Sequence, residues 1–418
     1  MASIISQTAS SSFADSPIIV NAQATSLLTS SSLKLVCDLY VWSGSSASQP
    51  ASPSFILKKF PIGSDKKCVF DFSPIISSYM TASLPQSYID SGSSSNTQWF
   101  TYEIYEEAKN SSGLTITSSH QIPTAKPFIA TDGYFKWGEK IDLAGSASIG
   151  NITYEDNENY PLLSSAPQVQ TINNTEVPFY FTLYSRGEGG FSNVDGLYYI
   201  DADAAGFVPY PKSTTQSGDI KFTQSFSRTF LKGREALGIT SFQYAPYSGS
   251  VLLSTLKTVN IECQKKYEPI RIIWKNRYGG IDQFEFALVS RKSMLTENKT
   301  YNQNALSSTN GTYSPFAGTT IYNSDEYQSL LVNTDYISED NNKLFEELLA
   351  SDEIYLVESL WDETGNIPFG NEAYFDYGAV LTSLLLESKN ITFKTSAVDK
   401  LVQYTLEFKY ATPYKLKL

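Results

Sequence analysis

The single histidine of this 418-residue chain, His120, limits the chemistry it can perform. It sits in TSSHQIP, a polar turn-like stretch ahead of Pro123, and no GxSxG nucleophile elbow accompanies it. A Ser-His-Asp or Cys-His arrangement needs an imidazole as its base, so any such mechanism must run through this one residue. No neighbouring motif orients it for that task, and a site built from several histidines is excluded outright. The three cysteines, Cys37, Cys68 and Cys263, make neither a disulfide framework nor a zinc site. Cys37 and Cys68 could meet on neighbouring strands; buried free thiols in a chain that matures in reducing cytoplasm are the preferred reading.

Carboxylates remain, because a glycosidase needs two acids and no imidazole. Glu353 and Glu358 flank one strand, and Asp362 and Glu363 follow Trp361, but among 43 Asp and Glu such pairs arise by chance. Asp201-Ala-Asp203-Ala-Ala-Gly206 opens like a calcium loop, yet its fifth position is Ala205 and its twelfth is Lys212, so a β-turn is expected. Glu155, Asp156 and Glu158 read as a solvated loop. Gly187-Glu-Gly-Gly190 lacks the GK[ST] ending and following helix of a phosphate cradle. Lys265, Lys266, Arg271, Lys275 and Arg277 alternate with apolar residues, which reads as a solvated, edge-blunting strand face rather than a polyanion site. No catalytic, cofactor-binding or metal-ligating residue is assigned, no cofactor is expected, and the chain is expected not to be an enzyme.

The elements that would position any site are strands. Aromatic residues reach 14%, supplied mainly by 28 Tyr and 24 Phe, while charged residues are only 18%. That composition favours sheets. No apolar run of about 18 residues exists, so a transmembrane helix is not expected. MASIISQTASSSFADS lacks a basic region followed by an apolar one, so no secretory signal is visible. The net charge of −12 argues against nucleic acid as the main partner.

Period-two alternation runs through the chain. Leu33, Leu35, Cys37, Leu39 and Val41 share one strand face; Cys68, Phe70 and Phe72 share another that Ser73-Pro74 stops. Further strands are expected at 17–24, 98–106 and 113–118, then in DGYFKWG, VPFYFTLYS, GLYYIDA, IKFTQSFSRTFL, TSFQYAP and VLLSTLKTVNIEC. The Asn-, Ser-, Thr- and Gly-rich stretch at roughly 293–325 reads as an extended loop or insertion. One short helix is expected near 341–350, where Leu344, Phe345, Leu348 and Leu349 form a stripe and Asp340 or Asn341 can cap the start. After it, Val402, Tyr404, Leu406, Phe408 and Tyr410 oppose Leu401, Gln403, Thr405, Glu407 and Lys409, one face apolar and one wet. The expected fold is all-β, with two or three antiparallel β-sandwich-like domains. Its parts are a flexible or partner-ordered arm over 1–16, a β-sandwich over 17–127, a second β domain over 128–266, and a C-terminal β domain with the short helix over 267–418.

IRIIWKNRYGGIDQFEF carries the most information. Ile270, Ile272 and Trp274 alternate inward, Asn276 to Gly280 supply a tight turn, and Phe284 and Phe286 alternate on the return. Gly279-Gly280 permits positive φ at the corner, so a β-hairpin with an aromatic face is expected, with Trp274 in the core. The pattern W-x-N-x-Y-G-G-x-D-x-F-x-F resembles one found in virion proteins of tailed phages infecting Bacteroidota, including crAss-like phages. CVFDFSPIISSYM is similar to the F-D-x-S-P-I strand end of their N-terminal sandwich. LFEELLASDEIYLVE, with the closing D-K-L-x-x-Y-T-x-E-F-x-Y-A, is similar to their C-terminal module. Residues 130–265 match nothing specific.

That resemblance implies a non-enzymatic structural subunit of the virion, in the tail or neck, such as a tail, hub or ring component, and it brings no catalytic residues. The expected partners are copies of the chain in a ring or other symmetric oligomer, and other tail, neck or capsid proteins. No direct nucleic-acid role and no membrane are expected. The expected location is the virion, assembled in the host bacterial cytoplasm. The alternative is a host-surface or carbohydrate-binding adhesin or fibre protein using Tyr and Trp platforms.

Overall fold

The structure is a computed structural model and describes residues 2–6, 11–27, 32–44, 47–80, 97–123, 127–136, 162–185, 196–201, 205–209, 220–248, 251–252, 254–262, 267–303, 318–359, 379–388, 392 and 401–411. The fold is all-β, in mostly antiparallel sheets.

The N-terminal part contributes β1 (Ser3–Ser6), β2 (Ser11–Phe13), β3 (Ile19–Gln23), β4 (Lys34–Trp42), β5 (Phe55–Lys59), β6 (Lys67–Asp71), the one-turn helix α1 (Ser73–Ser77), β7 (Thr97–Lys109), β8 (Thr115–Thr117) and β9 (Phe128–Thr131). One sheet runs β2-β9-β7-β4-β5, with β8 on β7, and a second runs β1-β3-β6. The alternating residues Leu35, Cys37, Leu39 and Val41 of β4 share a core with Phe100, Tyr102 and Ile104 of β7 and with Val20, Ala22, Cys68 and Phe70 of the opposite sheet. Phe100 and Tyr102 stack on Phe128 at centroid distances of 5.3 and 5.6 Å. Cys37 and Cys68 are buried free thiols; Cys263 lies outside the described residues.

Two expectations are corrected here. Of the expected arm over 1–16, the described residues 2–6 and 11–16 are docked: β1 pairs with β3, β2 runs parallel to β9, and Phe13 and Ala14 are fully buried. The serine-rich composition hid short paired strands in and beside which Ala2, Phe13 and Ala14 are buried while Ile5 stays exposed. The second unit also does not begin at 128, because β9 closes the first sheet against β7. Asp132–Lys136, expected as a strand, is instead an irregular connection.

The middle part contributes β10 (Val169–Ile172), β11 (Phe179–Ser185), β12 (Gly196–Asp201), β13 (Ala205–Pro209), β14 (Ile220–Phe226), α2 (Arg228–Ala236), β15 (Ser241–Ser248), β16 (Val251–Leu252) and β17 (Lys257–Ile261). The sheet order is β10-β17-β15-β12-β13, and β11 pairs with β14. Phe179, Phe181, Phe226, Phe242 and Tyr244 fill the core between them with Leu231 of α2. The stretch IKFTQSFSRTFL, expected as strand throughout, turns helical at Ser227, whose side chain accepts a bond from the Phe230 N–H and caps α2.

The C-terminal part contributes β18 (Ile270–Lys275), β19 (Ile281–Phe286), β20 (Arg291–Gln303), β21 (Gly318–Asn333), β22 (Ile337–Ser338), a 3₁₀ turn (Glu339–Asn341), α3 (Asn342–Ala350), β23 (Ile354–Ser359), β24 (Ala379–Leu386), β25 (Leu401–Val402) and β26 (Thr405–Tyr410). Seven strands form one sheet, β19-β18-β23-β24-β26-β21-β20. The expected helix is α3, and Leu344, Phe345 and Leu348 bury its apolar stripe against Trp274, Phe286, Tyr404 and Phe408. Trp274 is fully buried, and Val402, Tyr404, Leu406, Phe408 and Tyr410 all face inward. The stretch 293–325 is no loop over 293–303 and 318–325, which belong to the long ribbon of β20 and β21. Its residues are wet on both faces, so no apolar alternation advertised the strands; residues 304–317 lie outside the described residues.

The hairpin of β18 and β19 is covered on both faces. Ile272 and Trp274 point to the core under α3, while Ile273 and Ile281 pack with Val177 and Tyr180 from the middle part.

Candidate functional site

The turn between β18 and β19 is where the three parts of the chain meet. Asn276 builds it from within: its amide N–H bonds the Gly280 carbonyl at 2.8 Å, and its carbonyl accepts from the Gly279 N–H at 2.8 Å. Its side-chain Oδ1 accepts from the N–H groups of Tyr278 (3.0 Å) and Gly280 (2.9 Å). Gly279 takes φ of +63°, as the Gly-Gly corner required. Gly280 serves a different need: a Cβ there would stand 2.4 Å from the Leu163 carbonyl, so only glycine lets the strap 162–167 pass this close.

That strap is fastened by carboxylates. Asn276 Nδ2 donates to the Leu163 carbonyl and to Asp282 Oδ2, each at 3.0 Å. Asp282 also accepts from the Ser164 hydroxyl (2.5 Å) and the Ser165 N–H (2.9 Å). The Ser165 hydroxyl donates to Glu347 Oε1 of α3 at 2.6 Å, so one serine bridges two carboxyl groups. Arg277 closes the ring: its Nε lies 3.3 Å from Glu347 Oε1, and its N–H donates to Oε2 at 3.4 Å. From the other side, Lys257 Nζ donates to the Ala166 carbonyl at 2.5 Å. The N-terminal part joins through the Tyr134 N–H, which donates to the Arg277 carbonyl at 2.7 Å, and through Asp132, 3.0 Å from Lys275 Nζ. Phe13 and Phe135 pack beside Tyr278.

Burial sets the electrostatics. It pushes the Asp282 carboxyl up, against the opposing pull of the Ser164, Ser165 and Asn276 hydrogen bonds. Burial, reinforced by the charge of Asp282, lifts Glu347 to about 7. Burial pulls the Lys257 ammonium down. It pulls on Lys275 too, but Asp132 and Glu353 hold that ammonium above its ordinary value.

A second fastener lies on the other face of β18. Arg271, 1% exposed, donates from Nη1 to the carbonyls of Val177 (2.9 Å) and Pro178 (2.8 Å). Its Nη2 donates to the Asn174 carbonyl (2.6 Å) and to Glu285 Oε2 (2.7 Å). The expected solvated basic face is therefore wrong for Arg271 and Lys275. The opposite face of the strand is covered by the middle part, so the cations there are desolvated and individually paired. Lys265 and Lys266 lie outside the described residues.

The other candidates are scattered. His120 is part-exposed, stacks on Tyr105 at 4.2 Å and sits 2.8 Å from Glu103 Oε2, a partner the sequence did not reveal. Glu353 lies 3.6 Å from Lys275, and Glu358 accepts from the Thr382 hydroxyl at 2.8 Å. Asp201 ends β12 and pairs with Arg234 at 2.6 Å; β13 returns antiparallel from Ala205. Glu155, Asp156, Glu158, Gly187–Gly190, Asp362 and Glu363 lie outside the described residues. Among the described residues no group of three or more His, Cys, Asp and Glu could hold a metal ion.

Asp282 and Glu347 are the acids the fold does bring together, and neither was singled out. Their signal was present: Glu347 falls on the same helical stripe as Leu344 and Leu348, where a charge has no solvent. Each of their four oxygens accepts at least one protein donor, and both residues are 2% exposed. Such an arrangement holds chain segments in register. Set against known proteins, the chain matches no protein-family model and no curated sequence.

Proposed function

We propose that this chain is a non-enzymatic structural subunit of a tailed-phage virion, a tail, hub or ring component that assembles through β-rich surfaces with copies of itself and with other virion proteins. One observation carries the reading. Within the pattern W-x-N-x-Y-G-G-x-D-x-F-x-F, which resembles phage virion proteins, Asn276, Gly280 and Asp282 fasten the strap 162–167 to the C-terminal sheet, and Tyr278 packs beside Phe13 and Phe135 of the N-terminal part. The most patterned segment of the chain thus serves rigidity, and its carboxylates are spent on internal bonds. A subunit that transmits load between neighbours needs its parts welded this way. The proposed location is the virion, after assembly in the host cytoplasm.

Immunogold labelling of purified virions with antibody against the chain, with mass spectrometry of the same particles, tests the reading. Labelling confined to neck or tail supports it; particles that lack the chain refute it. The adhesin reading draws on one feature, the exposed Tyr301 and Tyr322 whose rings lie 6.2 Å apart on the long ribbon. Glycan-array binding by the free protein that is lost in Tyr322→Ala would favour it.

A further inference from the structure

Strand β20 is the outermost strand of the seven-stranded sheet and, among the described residues, pairs only with β21. Only Ser329–Asn333 of β21 is backed by β26. From Leu295 opposite Tyr327 outward to Gln303 opposite Gly318, the two strands form a ribbon about 30 Å long that is joined by no third strand among the described residues. A two-stranded ribbon is marginal in water without a third partner. Arg291–Asn302 is exposed throughout, including Met294, Leu295 and Tyr301.

Natural edge strands avoid pairing by being short, bulged, charged or interrupted by proline, and of these devices β20 carries charge, at Arg291, Lys292, Glu297 and Lys299. This one is 13 residues long with no proline. The ribbon's one irregularity, between Lys299 and Thr300, places the extra residue, Tyr322, on β21 and leaves β20 regular.

We propose that this edge pairs antiparallel with the same edge of a second copy of the chain, about a two-fold axis through Asn298. The sequence of β20 names its own occupant. Opposed about Asn298, Glu297 meets Lys299, Thr296 meets Thr300 and Leu295 meets Tyr301, and the symmetry makes each pair occur twice. Opposite charges face each other, β-branched residues face each other, and apolar faces aromatic. Centring the axis one residue earlier opposes Glu297 to itself and Leu295 to Lys299. Centring it one residue later opposes Lys299 to itself and Glu297 to Tyr301. The Asn298 register is the one with complementary charge, and it overlaps Ser293–Gln303 on both chains. The pairing joins two seven-stranded sheets edge to edge. This inference rests on the proposal that the chain self-assembles, and adds the isologous contact through which two copies meet.

Disulfide trapping in the full-length chain tests it. Directly opposed residues of antiparallel strands have Cα atoms about 4.5–5.5 Å apart, within disulfide reach. Asn298→Cys faces its own copy and is expected to form a covalent dimer on mild oxidation. Thr300→Cys faces Thr296 and is expected to stay at the wild-type background. In sedimentation velocity, Glu297→Lys opposes like charges twice and is expected to weaken the dimer about tenfold. Across the ribbon the same change faces Asp325, so the hairpin itself does not suffer. Adding Lys299→Glu restores opposite charges and should recover the dimer. Equal cross-linking at 298 and 300, or no recovery in the double reversal, overturns the proposal. Oligomers that none of these variants disturb also overturn it, while leaving the subunit reading standing; a chain missing from virions defeats that reading and leaves the dimer measurement valid.

Discussion

Replacing Asn276 with alanine removes four hydrogen bonds at once and leaves the backbone of the turn without its internal brace. The Tyr278 and Gly280 N–H groups lose their acceptor, and the Leu163 carbonyl and Asp282 lose a donor. A buried polar group stripped of its partner costs ~1–3 kcal/mol. Asp282 keeps Ser164 and Ser165, so the burden falls on the three backbone groups. At the low end for each, Asn276→Ala should cost about 3–4 kcal/mol, a large part of a typical domain's ~5–15. Urea titration followed by tryptophan fluorescence reads it, because Trp274 lies in the same hairpin and is fully buried. With a slope of ~1–3 kcal/mol per molar urea, the transition of the C-terminal part should move down by at least about 1 M. Asn276→Asp is the discriminating companion. It keeps the two acceptor bonds but sets a second carboxylate against Asp282, so its deficit should be large at pH 8 and shrink at pH 5, where a protonated carboxyl can donate. A deficit below about 1 kcal/mol for Asn276→Ala, or an Asn276→Asp deficit indifferent to pH, would refute the role assigned to this side chain.

Glu347 predicts a pH dependence. Its carboxyl is raised from 4.5 to about 7, so folding takes up a proton there; the stability it confers is present below pH 4.5 and lost as pH rises to about 7. At about 1.4 kcal/mol per pH unit the loss is on the order of 3 kcal/mol. Thermal midpoints measured from pH 4.5 to 8 should fall in the wild type and fall less in Glu347→Gln, where Asp282 still titrates above its ordinary value. Trp274→Ala should cost ~3–5 kcal/mol, as truncation of a buried aromatic does; full stability with failed assembly would move Trp274 to an interface. Arg271→Met leaves Glu285 buried without its cation and should cost ~3–5 kcal/mol. Adding Glu285→Leu should recover part of that in the same denaturation assay, and no recovery would show that the carbonyl bonds dominate. His120→Gln should change stability by under ~0.5 kcal/mol and, on the proposed virion role, leave particle yield and infectivity within normal scatter; a sharp loss of infectivity in normally formed particles would mark a functional site.

What could be read from residue order was whatever depends on one apolar face. Val402 through Tyr410, Ile272 with Trp274, and the stripe of α3 were legible because alternation or helical spacing reports a single buried side. Three kinds of element escaped. Ile4 and Phe13 were hidden by the serines around them, since two or three docked residues make no period. The outer ribbon of β20 and β21 was hidden because neither of its faces is dry. Arg271 and Lys275 were misread for the converse reason: both faces of β18 are covered, and a cation on a doubly covered strand looks in sequence like one facing water. The fastener around Asp282 was half legible. Its turn was expected from Asn276 to Gly280, but the acids it joins lie 65 positions apart in the chain, and the strap they hold has no pattern of its own.

The fastener also imposes a schedule on synthesis. Ser165 bonds to Glu347, 182 residues further along. At ~5–20 residues per second, a ribosome delivers the acceptor about 10–35 seconds after the donor. For the first 117 residues of that interval the strap has neither Asp282 nor Glu347 to bind, and until β18 is made the face of the middle part that will cover it is bare. The nascent chain therefore passes through a long period with its middle part folded at most on one side. Its first tether arrives with Asp282, and its final rigidity only when α3 leaves the exit tunnel.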